Sequence, residues 1–244
     1  MIKKILVTLF VIGIMTSGVS ASKIDNQQKT DCGADENVHE ELVGMTHDGK
    51  DFIVKRVMEF KVKQQNPGSS PSTSCYKLMG VKWASLPVTY SINPSNPQNV
   101  DAVTAINTGV GTWDEQTSKN LFAYSGTTSG QAGTYDGVNI ISFGSVASSN
   151  TIAVTTTWYT RIGKRILETD MKFNTYYIWG TDGSSDKMDL QNIATHELGH
   201  TFGLSDLYNS CTSQTMYGYA DFGETNKRTL ESGDIAGLRS LYGT

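Results

Sequence analysis

Cysteine, histidine and long apolar runs are all scarce in this chain. The three cysteines, Cys32, Cys75 and Cys211, allow at most one intramolecular bridge and leave one thiol over, which excludes a second bridge. Which pair forms is not readable from their spacing. After residue 21 no apolar stretch approaches the ~20 residues that a spanning helix needs, so no later segment is expected to cross a bilayer. Charge is modest and leans acidic: 18% of residues are charged and the formal net charge is −4, falling to −6 once Lys3 and Lys4 of the leader are set aside. That balance excludes the basic footprint of a nucleic-acid binder. No internal repeat is present. A hydrophobic fraction of 38% rules out a wholly disordered or collagen-like chain and is enough to bury a core.

The first segment reads as a secretory signal, residues 1–21: Lys3 and Lys4 form its basic start, residues 5–15 its apolar centre, and Val19-Ser20-Ala21 its small-residue cleavage site. The alternative is an uncleaved anchor that would keep the protein at the cell surface. Residues 22–79 are polar and mixed in charge, with one apolar-rich stretch at 52–62 that predicts a strand or hairpin. Residues 64–74 (QQNPGSSPSTS) carry Pro67, Gly68, Pro71 and a serine run, the composition of an exposed linker that is easily cut. The reading therefore divides the chain into a signal at 1–21, a propeptide with its linker at 22–79, and a single domain at 80–244.

Within that domain, residues 86–92 predict a strand ended by Pro94 and Pro97. A helix follows on the stripe Val100, Val103, Ile106, Val110 and Trp113, and the helix-weakening Gly109 and Gly111 suggest tight packing against a sheet. Residues 138–143, 151–160 and 166–177 are rich in β-branched and aromatic side chains and predict three more strands. A second helix is expected over 189–201. A third is expected from Ser232, as its N-cap, through Ile235, Leu238 and Leu241. Strands flanked by helices in this order imply an α+β architecture rather than repeated βαβ units.

His196-Glu197-Leu198-Gly199-His200 sets two imidazoles four residues apart, one helical turn, so both reach one metal from the same face. Glu197 then sits beside that metal, able to deprotonate water without being a ligand. Three residues on, Gly203 can stop the helix and reverse the chain, and Asp206 on the returning loop can supply a third ligand. Three protein ligands with an open fourth position describe a catalytic rather than a structural zinc. A layout using Glu224 or Glu231 from a later helix would need the helix to continue past Gly203. Met216, in the turn-prone Thr215-Met216-Tyr217-Gly218-Tyr219, can lie as a soft floor beneath the histidines.

HELGHTFGLSD followed by TMYGY resembles a metzincin and, within that clan, a matrixin, the matrix-metalloproteinase type. Residues 81–92 resemble the matrixin opening strand, and DIAGLRSLYG at 234–243 its closing helix. The resemblance implies a zinc endopeptidase with a twisted mixed sheet, an active-site helix, a C-terminal helix, and a cleft in which extended polypeptide substrates pair with an edge strand. It assigns Glu197 as general base, His196, His200 and Asp206 as zinc ligands, and supporting roles to Gly203, Met216 and Tyr217.

The chain also departs from the family. Asp206 stands where a matrixin usually has a third histidine, as in certain microbial metzincins. His39 and His47 lie before the linker, so a second, structural zinc is not expected. A family calcium site is left open at residues 168–174, where Asn174 stands in place of an acid. For latency, Cys32-Gly33-Ala34-Asp35 faintly resembles the family's inhibitory cysteine motif, whereas Cys75 lies nearer the domain and lacks the motif. Hence the expectation of a Cys75–Cys211 bridge with Cys32 as an inhibitory thiol. The overall expectation is a secreted, monomeric zinc metalloendopeptidase made as a zymogen. The rival is a catalytically silent, zinc-stabilised envelope or binding protein.

Overall fold

A computed structural model describes residues 37–63 and 74–244. The leader, Cys32 and most of the Pro/Ser-rich linker fall outside them. The elements run β1 (Val38–Met45), β2 (Phe52–Val62), β3 (Lys82–Trp83), β4 (Val88–Ile92), α1 (Ala102–Asp114), β5 (Phe122–Thr127), β6 (Ile140–Gly144), β7 (Thr151–Thr160), β8 (Arg165–Asn174), β9 (Trp179–Gly180), β10 (Met188–Asp189), α2 (Leu190–Thr201), β11 (Tyr219–Ala220) and α3 (Ser232–Tyr242). The main sheet is mixed, in the order β1-β2-β7-β8-β6-β4-β5, with β11 paired to β2 and β3 to β8. β4, β5, β6 and β8 run parallel, whereas β7 is antiparallel to both of its neighbours, β8 and β2. This is the α+β architecture expected from the order of strands and helices.

The stretch at 52–62 is one long strand of that sheet. β1, which pairs with it in a hairpin, has no sequence signal, because nearly all its side chains face solvent and no apolar alternation marks it. β5 was equally invisible, since only Phe122 of its six residues is buried. The strand expected at 166–177 stops at Asn174, whose carbonyl accepts the Trp179 indole N–H at 3.0 Å and turns the chain toward β9.

α1 begins at Ala102 because the Asp101 side chain accepts the Thr104 N–H at 3.0 Å, an N-cap. Gly109 packs against a helix and not, as expected, against the sheet. A side chain there would come within 2.8 Å of Thr195 Oγ1 on α2, whereas Gly111 meets nothing. The same crossing holds Trp113, fully buried, with its indole N–H donated to Thr195 O at 2.8 Å. Burying side chains of this kind, Trp113, Phe173 and Leu190 among them, contributes on the order of 2 kcal/mol each. Glu231, not Ser232, caps α3. It forms a capping box with Asp234.

Candidate metal centre

α2 is launched by Asp189, whose carboxylate caps the Asn192 N–H at 3.0 Å and pairs with Arg228. The helix then carries His196 and His200 on one face, their ring centroids 4.8 Å apart and their planes perpendicular. Two loops aim the rings. His196 Nδ1 lies 2.7 Å from Thr215 O, and His200 Nδ1 lies 2.9 Å from Leu204 O. A carbonyl can only accept, so each Nδ1 carries the proton and each Nε2 presents a lone pair.

Those lone pairs face a carboxylate. Gly203, with φ +98°, ends the helix and reverses the chain; a Cβ there would lie 2.3 Å from Val81 O, so the turn admits only glycine. Asp206 thereby returns with Oδ1 3.1 Å from His196 Nε2 and 3.4 Å from His200 Nε2. The three residues are 0–2% exposed, and neither Nε2 nor either Asp206 oxygen has a hydrogen-bond partner. Acceptors buried against acceptors repel one another unless a cation lies between them. Bonds of ~2.0–2.1 Å to a tetrahedral ion set neighbouring ligand atoms about 3.3 Å apart, close to the spacings observed. Among the described residues this is the one cluster of histidine, cysteine and acidic side chains able to hold a metal. The donor set, two imidazoles and one carboxylate, fits zinc.

Glu197 is fully buried beside the cluster. The Thr155 hydroxyl, on β7, donates to its Oε2, and Oε1 has no partner. Burial pushes its carboxyl up to about 7. Thr155 was missed by the sequence reading, because one threonine in a strand of threonines carries no spacing signal. Met216 lies under α2, its sulfur where a Cβ at Gly199 would be, 2.2 Å away. Asp234, also missed, fixes this floor from α3: its carboxylate accepts the N–H groups of Thr215 at 2.8 Å and Met216 at 3.1 Å. Tyr217 is buried next to it, with the Lys227 ammonium over its ring.

Glu224 pairs with Lys227 and Glu231 caps α3, so neither reaches the cluster. His39 lies 3.9 Å from Glu59 on the exposed hairpin. Cys75 and Cys211 are bridged and tie the start of the domain to the loop before Met216. The stretch left open for calcium lies against backbone N–H groups. Asp170 accepts the N–H groups of Gly133 and Ile140, Glu168 those of Asp136 and Gly137, and the Asn174 oxygen that of Tyr176. These oxygens already face donors.

Phe60 of β2 is an unforeseen neighbour. Its ring stacks on His196 with centroids 3.8 Å apart and planes 12° from parallel.

The sequence model of the matrixins matches residues 82–243. The hatching enzyme of Paracentrotus lividus is 39% identical over 75 residues, 31% of this chain and 12% of that protein. Matrilysin of Rattus norvegicus is 36% identical over 74 residues, 30% of this chain and 27% of that protein. The matched stretches thus span well under half of these relatives. With the match running from β3 through α3, around the histidine pair and the returning aspartate, the chain belongs to the matrixin family.

Proposed function

We propose that this protein is a zinc-dependent metalloendopeptidase that hydrolyses peptide bonds in polypeptides, and that it is secreted as a monomeric zymogen. The observation that carries the reading is the pair of imidazole lone pairs and one carboxylate oxygen at tetrahedral spacing, with an unpartnered Glu197 oxygen beside them. His196, His200 and Asp206 are the residues that would hold zinc. Zinc bound there supplies a Lewis acid that polarises a peptide carbonyl and makes water more acidic. Glu197 Oε1 then takes a proton from water and returns it to the departing amine, while the Thr155 hydroxyl holds the other oxygen still. Secretion rests on the leader at residues 1–21, and the zymogen on the cuttable linker at 64–74 ahead of the family domain.

The rival reading, a silent zinc-stabilised protein, has no use for a buried carboxylate with one free oxygen. Metal analysis, N-terminal sequencing and casein zymography of the secreted protein, with and without a chelator, test the proposal together. Glu197→Ala is expected to keep one zinc per chain and to lose at least about a hundredfold in turnover, the usual contribution of a positioned base. Cleavage of casein by Glu197→Ala at the parental rate would overturn the assignment.

A further inference from the structure

The turn between β7 and β8, Arg161-Ile162-Gly163-Lys164-Arg165, has no part in the metal centre, and all five residues are exposed. Ile162 is 72% exposed, the most of any large apolar side chain among the described residues. Asp51 fixes the turn in this pose, its carboxylate accepting the Ile162 N–H at 2.8 Å and the Gly163 N–H at 2.7 Å. The Arg161 N–H donates to Phe52 O at 2.8 Å, which sets the exposed Phe52 and its strand partner Met45 at the same end of the sheet. β3 pairs with β8 next to the turn, Lys82 opposite Arg165, and a groove of about 500 Å³ opens there. Val81, Trp83 and Leu241 give it an apolar lining, and Lys82, Lys164 and Arg165 give it three cations. Among the described residues none of Lys82, Arg161, Lys164 and Arg165 pairs with a carboxylate. With Lys50, these cations outnumber Asp48 and Asp51, the acids of the adjoining turn, so this end is positive on a chain whose net charge is −4.

We infer that this end of the sheet is a docking surface for an anionic lipid bilayer, with Ile162 entering the edge of the hydrocarbon and Lys82, Arg161, Lys164 and Arg165 meeting acidic head groups. Charge complementarity selects the partner's sign, and the exposed apolar tip selects its kind. One exposed apolar side chain is ordinary by itself. Here it is pinned on a turn with three cations, which matches the layering of a bilayer face, acidic groups above and hydrocarbon below. A soluble polyanion would engage the same cations and leave Ile162 idle. Because Asp51 already holds the turn, docking needs no further ordering of the chain. The contact is peripheral, and no helix among the described residues is long and apolar enough to cross a membrane. The inference does not depend on the peptidase reading.

The test is co-sedimentation of the intact chain with vesicles of phosphatidylcholine, alone or with about 30% phosphatidylglycerol, at about 0.05 M and about 0.5 M salt. The parent is expected to sediment with the anionic vesicles at low salt and to be released at high salt. Lys164→Gln is expected to lower partitioning about fivefold, and Lys164→Gln with Arg165→Gln about twenty-five-fold, since each cation near such a surface contributes about that factor. Ile162→Asn is expected to cost at least about tenfold through lost burial of the side chain. All these residues are exposed, so urea midpoints should match the parent. Ile162→Trp serves as a reporter of depth: brominated acyl chains in the anionic vesicles should quench its added fluorescence. Failure of the parent to bind anionic vesicles at low salt overturns the inference, as does an Ile162→Trp that is not quenched. Sedimentation unchanged in both the glutamine and asparagine variants also overturns it, because residues 1–21, common to every form, would then be doing the binding. A parent that binds soluble dextran sulfate as tightly as the vesicles, with Ile162→Asn indifferent to both, overturns it in favour of a polyanion surface.

Discussion

Replacing both Cys75 and Cys211 by alanine tests how much of the stability depends on one covalent tie. The bridge spans 136 residues, and closing a loop of that length lowers the entropy of the unfolded chain by the equivalent of about 5 kcal/mol at 25 °C. That is a large part of the 5–15 kcal/mol roughly typical of a domain. Equilibrium urea unfolding of the zinc-loaded parent and double variant, followed by circular dichroism, reads the difference. With a slope of about 3 kcal/mol/M the midpoint is expected to fall by about 1.7 M. A second effect should accompany it. Cys211 opens the turn that carries Thr215, whose carbonyl fixes the His196 ring, so the variant should also release zinc faster. A loss under about 1 kcal/mol at unchanged slope would refute the reasoning, because the unfolded ensemble would then not feel the constraint.

Thr155→Val removes the hydroxyl on Glu197 without changing shape; kcat is expected to fall by about tenfold with KM nearly unchanged, and Thr155→Ser to restore it. Equal kcat in Val and Ser variants would count against a positioning role. Gly203→Ala must relieve a 2.3 Å clash at a left-handed backbone, costing at least about 2 kcal/mol, and should lower zinc content by displacing Asp206; normal zinc stoichiometry and stability would contradict this. Burial pushes the Glu168 carboxyl up to about 7 from its ordinary 4.5, so the folded state holds its proton longer than the unfolded one. Stability should therefore decline as pH rises from about 4.5 to 7, and Glu168→Gln should flatten that decline in urea midpoints. Identical slopes for parent and variant would rule out this residue as the source.

The cluster was legible in the sequence because its residues are local. His196, Glu197, His200, Gly203 and Asp206 lie within one helix and the turn that follows it, so helical periodicity and one glycine suffice to bring them together. The residues that tune the centre come from far along the chain. Thr155 arrives from β7, Phe60 from β2 and Asp234 from α3, and each owes its role to strand register or helix docking, which local spacing does not encode. Gly109 shows the same limit: composition signals close packing, but only the tertiary arrangement says that the neighbour is α2. The long strands and helices were readable from apolar alternation or stripes. β1 and β5 were not, since edge strands with mostly solvated side chains have no such pattern.

Asp234 gives the centre a dependence on the order of synthesis. Its carboxylate secures Thr215 and Met216, and through the Thr215 carbonyl it sets the tilt of His196. A ribosome that has just added His200 to the chain must still translate more than thirty residues before that brace exists. β2, in contrast, emerges well before either histidine. The strand whose Phe60 lies on the His196 ring is thus made before that ring, and a nascent chain does not hold a fully braced centre while this cover is still unmade.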